Sequence, residues 1–120
     1  MVSDRSALFG GKLAQVLPAT TTAQTLYTAL ATTEITRINI CNVTNNNVSY
    51  YLYHNDTGTT YATADALVFN KTLSGHATDI IEAASQGSGI TIQKNGSIGV
   101  TTSAANHLNF TCYGIVQKVR

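Results

Sequence analysis

Glu34-Ile-Thr-Arg-Ile-Asn-Ile-Cys-Asn-Val-Thr44 is followed by Asn45-Asn46-Asn47 and then by Val48-Ser-Tyr-Tyr-Leu-Tyr-His-Asn55. Two runs rich in β-branched and aromatic residues flank three asparagines. Such runs fit a pleated surface, and Asn accepts the left-handed backbone of tight turns, so the stretch predicts a β-hairpin. Side chains alternate along a strand. Val48, Tyr50, Leu52 and His54 therefore share one face, and Ser49, Tyr51, Tyr53 and Asn55 the other. Both faces carry aromatics. One is expected to enter a core, and the other to offer tyrosines to something outside it.

The rest of the chain repeats this grammar. Ile90 to Val100 holds alternating residues around Asn95-Gly96, a strong hairpin signal because a type I′ turn needs positive φ twice. In residues 107–119, Leu108, Phe110, Cys112, Gly114 and Val116 share a face opposite Asn109, Thr111, Tyr113 and Ile115. Lys12 to Leu17 reads as a short edge strand stopped by Pro18, and Thr25 to Leu30 and Thr78 to Ala83 as further strands. Residues 61–69 fit a strand or one or two helical turns equally well. With about eight short strands, and turn signals roughly every 8–12 residues, the expected fold is all-β. The architecture is an antiparallel two-sheet β-sandwich, jelly-roll-like. Residues 1–11 lack periodicity and end in Gly10-Gly11, so they form an extended N-terminal arm ahead of a sandwich over 12–120. That arm is either a frayed terminus or a segment that docks on a neighbour through Leu8 and Phe9.

Composition narrows the function. The 120 residues suit one domain, and 43 % are hydrophobic. Only 11 % are charged, with a formal net charge of +1. Thr and Asn fill the gap. The seven basic residues are scattered, which argues against electrostatic capture of nucleic acid or of an anionic membrane. A surface so poor in charge lacks the usual guard against self-association; that suits a chain held in an assembly, and equally a Thr-rich β composition. Cys41 and Cys112 have no CxxC partner, so no metal site is expected; two buried free thiols are the default reading, with a disulfide between them as the alternative. The opening residues show no apolar signal-peptide core, and no run reaches the length of a membrane span. The expectation is synthesis in a reducing cytoplasm.

No catalytic constellation emerges, and no cofactor is implied. Asp56-Thr57-Gly58 matches the aspartic-protease triplet, but His54-Asn55 before it and Thr59-Thr60 after it read better as a turn. His54, His76 and His107 lack metal-ligand spacing. Tyr50, Tyr51, Tyr53 and Tyr61 are candidates for stacking on sugars or, more commonly, for core and interface use. The chain is read as not an enzyme.

From Thr25 to Val116 the chain resembles small β-sandwich virion proteins of tailed bacteriophages. The resemblance lies in Thr25-Leu-Tyr-Thr28, Ile38-Asn-Ile-Cys-Asn42, the Gly89 to Val100 hairpin, and Leu108-Asn-Phe-Thr-Cys-Tyr-Gly-Ile-Val116. It implies a jelly-roll sandwich, usually a homotrimer, located in the virion. It implies a capsid decoration or cement protein that binds across major capsid protein subunits and stabilises the head. A tail, neck or fibre component is the alternative, and a carbohydrate-binding module a more distant one. The expected contacts are Leu8 and Phe9 of the arm and Tyr51 and Tyr53 of the central strand.

Overall fold

The computed structural model describes residues 8–83 and 90–117, with side chains from Gly11 onward. Nine strands appear in these residues: β1 (Leu8–Val16), β2 (Gln24–Thr28), β3 (Thr33–Asn42), β4 (Val48–Asn55), β5 (Ala66–Leu73), β6 (Thr78–Ile81), β7 (Ile90–Ile92), β8 (Ser97–Thr102) and β9 (Leu108–Gln117). A 3-10 turn at Thr63–Asp65 precedes β5, so the ambiguous stretch 61–69 holds both a turn and the start of a strand.

Two antiparallel sheets pack face to face. One has the order β1-β9-β3-β6, with β7 also paired to β3; the other has the order β2-β8-β4-β5. β6 and β7 lie in tandem along the same strand, β6 against Ile38–Cys41 and β7 against Thr33–Ile35. Counted as one interrupted edge strand, they complete the two four-stranded layers of a jelly roll. The all-β sandwich expected from the sequence is the fold observed.

The connections differ from the expected hairpins. β3 and β4 lie in different sheets, and so do β7 and β8. The Asn45-Asn47 and Asn95-Gly96 turns are therefore arches across the sandwich. None of the three asparagines has positive φ, whereas Asn95 does, at 76°. Gly96 serves a different need from the one expected: a Cβ there would sit 3.0 Å from the Asn55 carbonyl oxygen and 2.9 Å from Ile92 Cγ2. The β3–β4 arch is held by Asn42, only 1 % exposed. Its Nδ2 donates to the carbonyls of Asn46, Leu73 and Ser74, and its Oδ1 accepts from the Thr44 backbone N–H and hydroxyl. A buried carboxamide thus uses both ends, as burial requires.

The inner faces follow the period-2 pattern. Ile35, Ile38, Ile40, Leu108, Phe110 and Cys112 come from one sheet; Leu26, Val48, Tyr50, Leu52, Ile98 and Val100 come from the other. Tyr50 meets Phe110 edge-on across the core, with ring centres 5.9 Å apart. The Tyr50 hydroxyl donates to Asp79 Oδ2 at 2.8 Å, and Lys71 Nζ lies 3.1 Å from the same oxygen. This link joins the two sheets at one open side. Burial, then the Asp79 hydrogen bond and charge, push the Tyr50 hydroxyl well above its ordinary pKa. Both cysteines are free thiols, and only Cys112 is fully buried. Cys41 pairs with Asn109 and so points out of the sheet that Cys112 lines from within.

Every sheet edge is irregular. β1 carries an extra residue at Leu13 and β2 one at Leu26. β5 shifts register twice against β4, with Asn70 at φ 53°. The fourth edge is divided between β6 and β7. β1 begins at Leu8, with Leu8 opposite Gln117 and Phe9 opposite Val116. Residues 8–11 of the expected arm are therefore strand, because β9 is long enough to pair with them. Residues 1–7 lie outside the described residues.

Candidate functional site: an aromatic row on the four-stranded sheet

Alternation in β4 sends Tyr50 and Leu52 inward and Tyr51 and Tyr53 outward. Both outward rings are half-buried, although they face away from the core. Other rings cover them. Tyr51 and Tyr53 lie almost parallel, 3° apart in plane and 6.1 Å between centres. Tyr53 stacks in turn on Tyr61, at 5.5 Å and 19°. Phe69, from β5, closes the other end edge-on against Tyr51 at 4.9 Å. The row Tyr61–Tyr53–Tyr51–Phe69 crosses the outer face of β8, β4 and β5.

Tyr61 anchors the row from the loop before β5. Its hydroxyl lies 2.9 Å from Thr25 Oγ1 and 2.7 Å from Ser97 Oγ. Its ring rests on Gly99 so closely that a Cβ there would fall 2.3 Å from the Tyr61 Cζ atom. Gly99 is opposite both Tyr53 and Thr25, so a single glycine makes room for the ring in the middle of the sheet. Phe69 is 60 % exposed and Leu67, beside it on β5, 44 %; these apolar groups complete the face. The Thr25 and Ser97 hydroxyls are taken up by Tyr61, and Thr101 Oγ1 is buried opposite Tyr51. No Asp, Glu, Lys or Arg is among these residues.

The ring geometry limits what the face can bind. A sugar stacks on a free aromatic face, yet Tyr53 has a ring on each side and Tyr51 is enclosed by Tyr53 and Phe69. Such a surface loses little hydration and little side-chain freedom on contact, which suits protein–protein association.

The other sequence candidates lie elsewhere. Leu8 and Phe9 are at the start of β1 in the opposite sheet, so they do not join the tyrosines. Asp56 accepts from His54 Nε2 at 3.2 Å and from the Gln93 backbone N–H at 3.1 Å, and Asn55 Oδ1 accepts from the Thr57 N–H. That is the turn chemistry expected for this triplet. His76 has φ 59° and donates its backbone N–H to Thr44, while His107 Nδ1 lies 2.6 Å from the Ala105 carbonyl. Among the described residues no group of His, Cys, Asp or Glu is placed to hold a metal ion. Sequence reasoning passed over Phe69, which lay in the ambiguous stretch. Gly99 within a β-branched run was the available signal, since glycine inside a strand marks close approach by another group.

No protein-family model matches the chain, and no curated protein matches it. Solved structures do. The chain is similar to one from the T13 IBDV viral particle, with a TM-score of 0.51 and 11 % identity, covering 90 % of this chain and 29 % of that one. It is similar to one from the acidic stable capsid of Helicobacter pylori bacteriophage KHP30, with a TM-score of 0.51 and 10 % identity over 92 % of this chain and 87 % of that one. This chain thus spans under a third of the IBDV chain and most of the bacteriophage one. At these identities the likeness is one of fold alone.

Proposed function

We propose that the chain is a non-enzymatic structural protein of a virion, and specifically a capsid decoration or cement protein of a bacteriophage that grips neighbouring major capsid subunits. The observation that carries this reading is the uncharged, pre-stacked aromatic row on an otherwise polar jelly roll. Rings already packed against one another give up little entropy when a partner covers them. Individually modest contacts, repeated over copies bound to one shell, add up through avidity. The fold likeness to chains of a viral particle and of a bacteriophage capsid supports the setting. Tyr51 and Tyr53, with Phe69, are the proposed contacts. Leu8 and Phe9 are proposed as a second contact, reached along β1 from the opposite sheet. A homotrimer is the proposed oligomer.

Electron cryo-microscopy of purified particles carrying the chain tests this. Density on the capsid shell, lost at least tenfold in a folded Tyr51→Ser/Tyr53→Ser/Phe69→Ser variant, is the expected result. Density confined to tail, neck or fibre would replace decoration by the alternative placement. Absence from the particle would overturn the structural reading.

A further inference from the structure

Four loops meet at one end of the sandwich: residues 17–23 between β1 and β2, 43–47 between β3 and β4, 74–77 between β5 and β6, and 103–107 between β8 and β9. Backbone hydrogen bonds tie them into one cluster. The Asn106 N–H donates to the Pro18 carbonyl at 2.8 Å, the Val43 N–H to that of His107 at 2.9 Å, and the His76 N–H to that of Thr44 at 2.8 Å. None of the four loops contains Asp, Glu, Lys or Arg. Their ionisable side chains are His76 and His107 alone, and these two residues flank the same Val43-Thr44 dipeptide from its opposite ends.

His107 is held by both ring nitrogens. Nδ1 lies 2.6 Å from the Ala105 carbonyl, which can only accept, so Nδ1 carries the proton. The neutral ring then has a bare Nε2, and this atom accepts from Asn46 Nδ2 at 3.4 Å. The ring thereby joins the β8–β9 loop to the asparagine arch. A second proton turns Nε2 into a donor and sets it against the amide it was holding. His76 adds strain. Its φ is 59°, a left-handed backbone that a histidine keeps only where its surroundings hold it. What holds it is the bond to Thr44, with the Gly75 N–H donating beside it to Asn47 Oδ1 at 3.2 Å. Both constraints run to the arch that His107 latches. On the three strand residues nearest this end, the ionisable groups are Cys41, Tyr50, Lys71 and Asp79. Asp79, the one carboxylate of these, already accepts from Tyr50 and pairs with Lys71.

We infer that His107 and His76 form an acid-operated latch on this end of the fold. Histidine is the side chain whose charge ordinarily changes between about pH 5 and 8. The closed cluster uses a bare Nε2 and supplies no carboxylate of its own. The open form therefore takes up protons more readily, and the latch loosens as pH falls through that range. The inference does not rest on the virion reading. The test is NMR of the ¹⁵N-labelled full chain from about pH 8 to about pH 5. Two-bond ring ¹H–¹⁵N correlations are expected to show neutral His107 as its Nδ1–H tautomer. Amide exchange, corrected for the intrinsic effect of pH, should lose about three- to tenfold of its protection at Val43, His76 and Asn106 on acidification. Ile38 and Cys112 in the core strands should keep theirs. His107→Gln should remove most of this change, and His76→Asn, which accepts the same backbone, a smaller part. An Nε2–H tautomer, loop protection independent of pH, a loss shared equally by the core strands, or a response that persists in the double variant would overturn the inference. The first three are read on the wild-type chain, so a variant that fails to fold does not blunt the test. Particle occupancy is read separately, so failure here leaves the aromatic-row proposal standing.

Discussion

The two outer faces of this sandwich solve the same problem in opposite ways. On the β2-β8-β4-β5 sheet, four rings satisfy one another and leave an uncharged surface. On the β1-β9-β3-β6 sheet, polar side chains do the covering: Lys12 Nζ donates to Gln15 Oε1, Gln15 Nε2 donates to Asn109 Oδ1, and Arg37 lies over Tyr113. The first face is held by dispersion and ring electrostatics, the second by hydrogen bonds that water competes for. Contacts made by the first should therefore survive added salt, and contacts made by the second should weaken with it. Each sheet also contains one glycine with no room for a side chain, and these two glycines give the sharpest way to separate the sheets.

Gly114→Ala is expected to have the largest effect. Its Cβ would fall 2.3 Å from the Glu34 carbonyl oxygen, a backbone atom that cannot move without opening the β3–β9 ladder. A loss of about 3 kcal/mol, read by denaturant unfolding, is expected. Gly99→Ala meets a ring instead, and a ring can swing away. About 2 kcal/mol is expected, much of it from the Thr25 and Ser97 hydrogen bonds to Tyr61 and the Tyr53 stack. The penalty should shrink in a Tyr61→Ala background, whereas that of Gly114→Ala should not change there. Equal penalties with no such coupling would mean that the row is not a separable covering.

Alkaline pH probes the inner side of the polar sheet. Burial pushes the Cys112 thiol up to about 11, from an unfolded value of 9.0. Between these values the unfolded chain has lost its proton while the native chain keeps it. Stability should accordingly be complete below pH 9 and fall as pH rises toward 11, by about 1–2 kcal/mol. Cys112→Val should remove the fall between pH 9 and 10, leaving the later fall set by the raised Tyr50 hydroxyl. In the native protein a thiol reagent should label Cys41, on the outer side of the same sheet, well before Cys112. Equal labelling would contradict the assignment of the two faces.

The smallest expected change lies beneath the aromatic row. Thr101 Oγ1 is buried without a partner, opposite Tyr51. Thr101→Val keeps the shape and removes the unpaired hydroxyl, so stability should stay level or rise by up to about 1 kcal/mol. A clear loss would reveal a hydrogen bond that the row depends on.

The faces of β4 and β9 were legible from alternation alone, because a half-buried strand must repeat every second residue. Val48, Tyr50 and Leu52 are buried as that rule requires, and so are Leu108, Phe110 and Cys112. What alternation does not contain is the identity of the partner strand. Asn45-Asn47 and Asn95-Gly96 correctly mark reversals of the chain. A reversal onto the facing sheet nevertheless uses the same turn residues as one onto an adjacent strand. The choice is made far along the sequence, by Asn42 reaching Leu73 and Ser74, and by Gly96 fitting against Asn55. The candidate site was legible in part for the same reason. Tyr51 and Tyr53 follow from period 2, but Tyr61 joins them from a loop and Phe69 across a bulged edge. Arg37 meets Tyr113 across strands that are far apart in sequence and paired only in the fold.

The irregular edges carry a consequence for crowding. Wherever chains lie side by side at high density, exposed strands can template one another into an unbroken ladder, the hazard that drives fibre growth. Here Leu13, Leu26, the double shift of β5 and the gap between β6 and β7 each interrupt such a ladder within a few rungs. Among the described residues no edge offers an unbroken ladder along which copies could polymerise, so dense samples should stay free of filaments and of thioflavin-binding material.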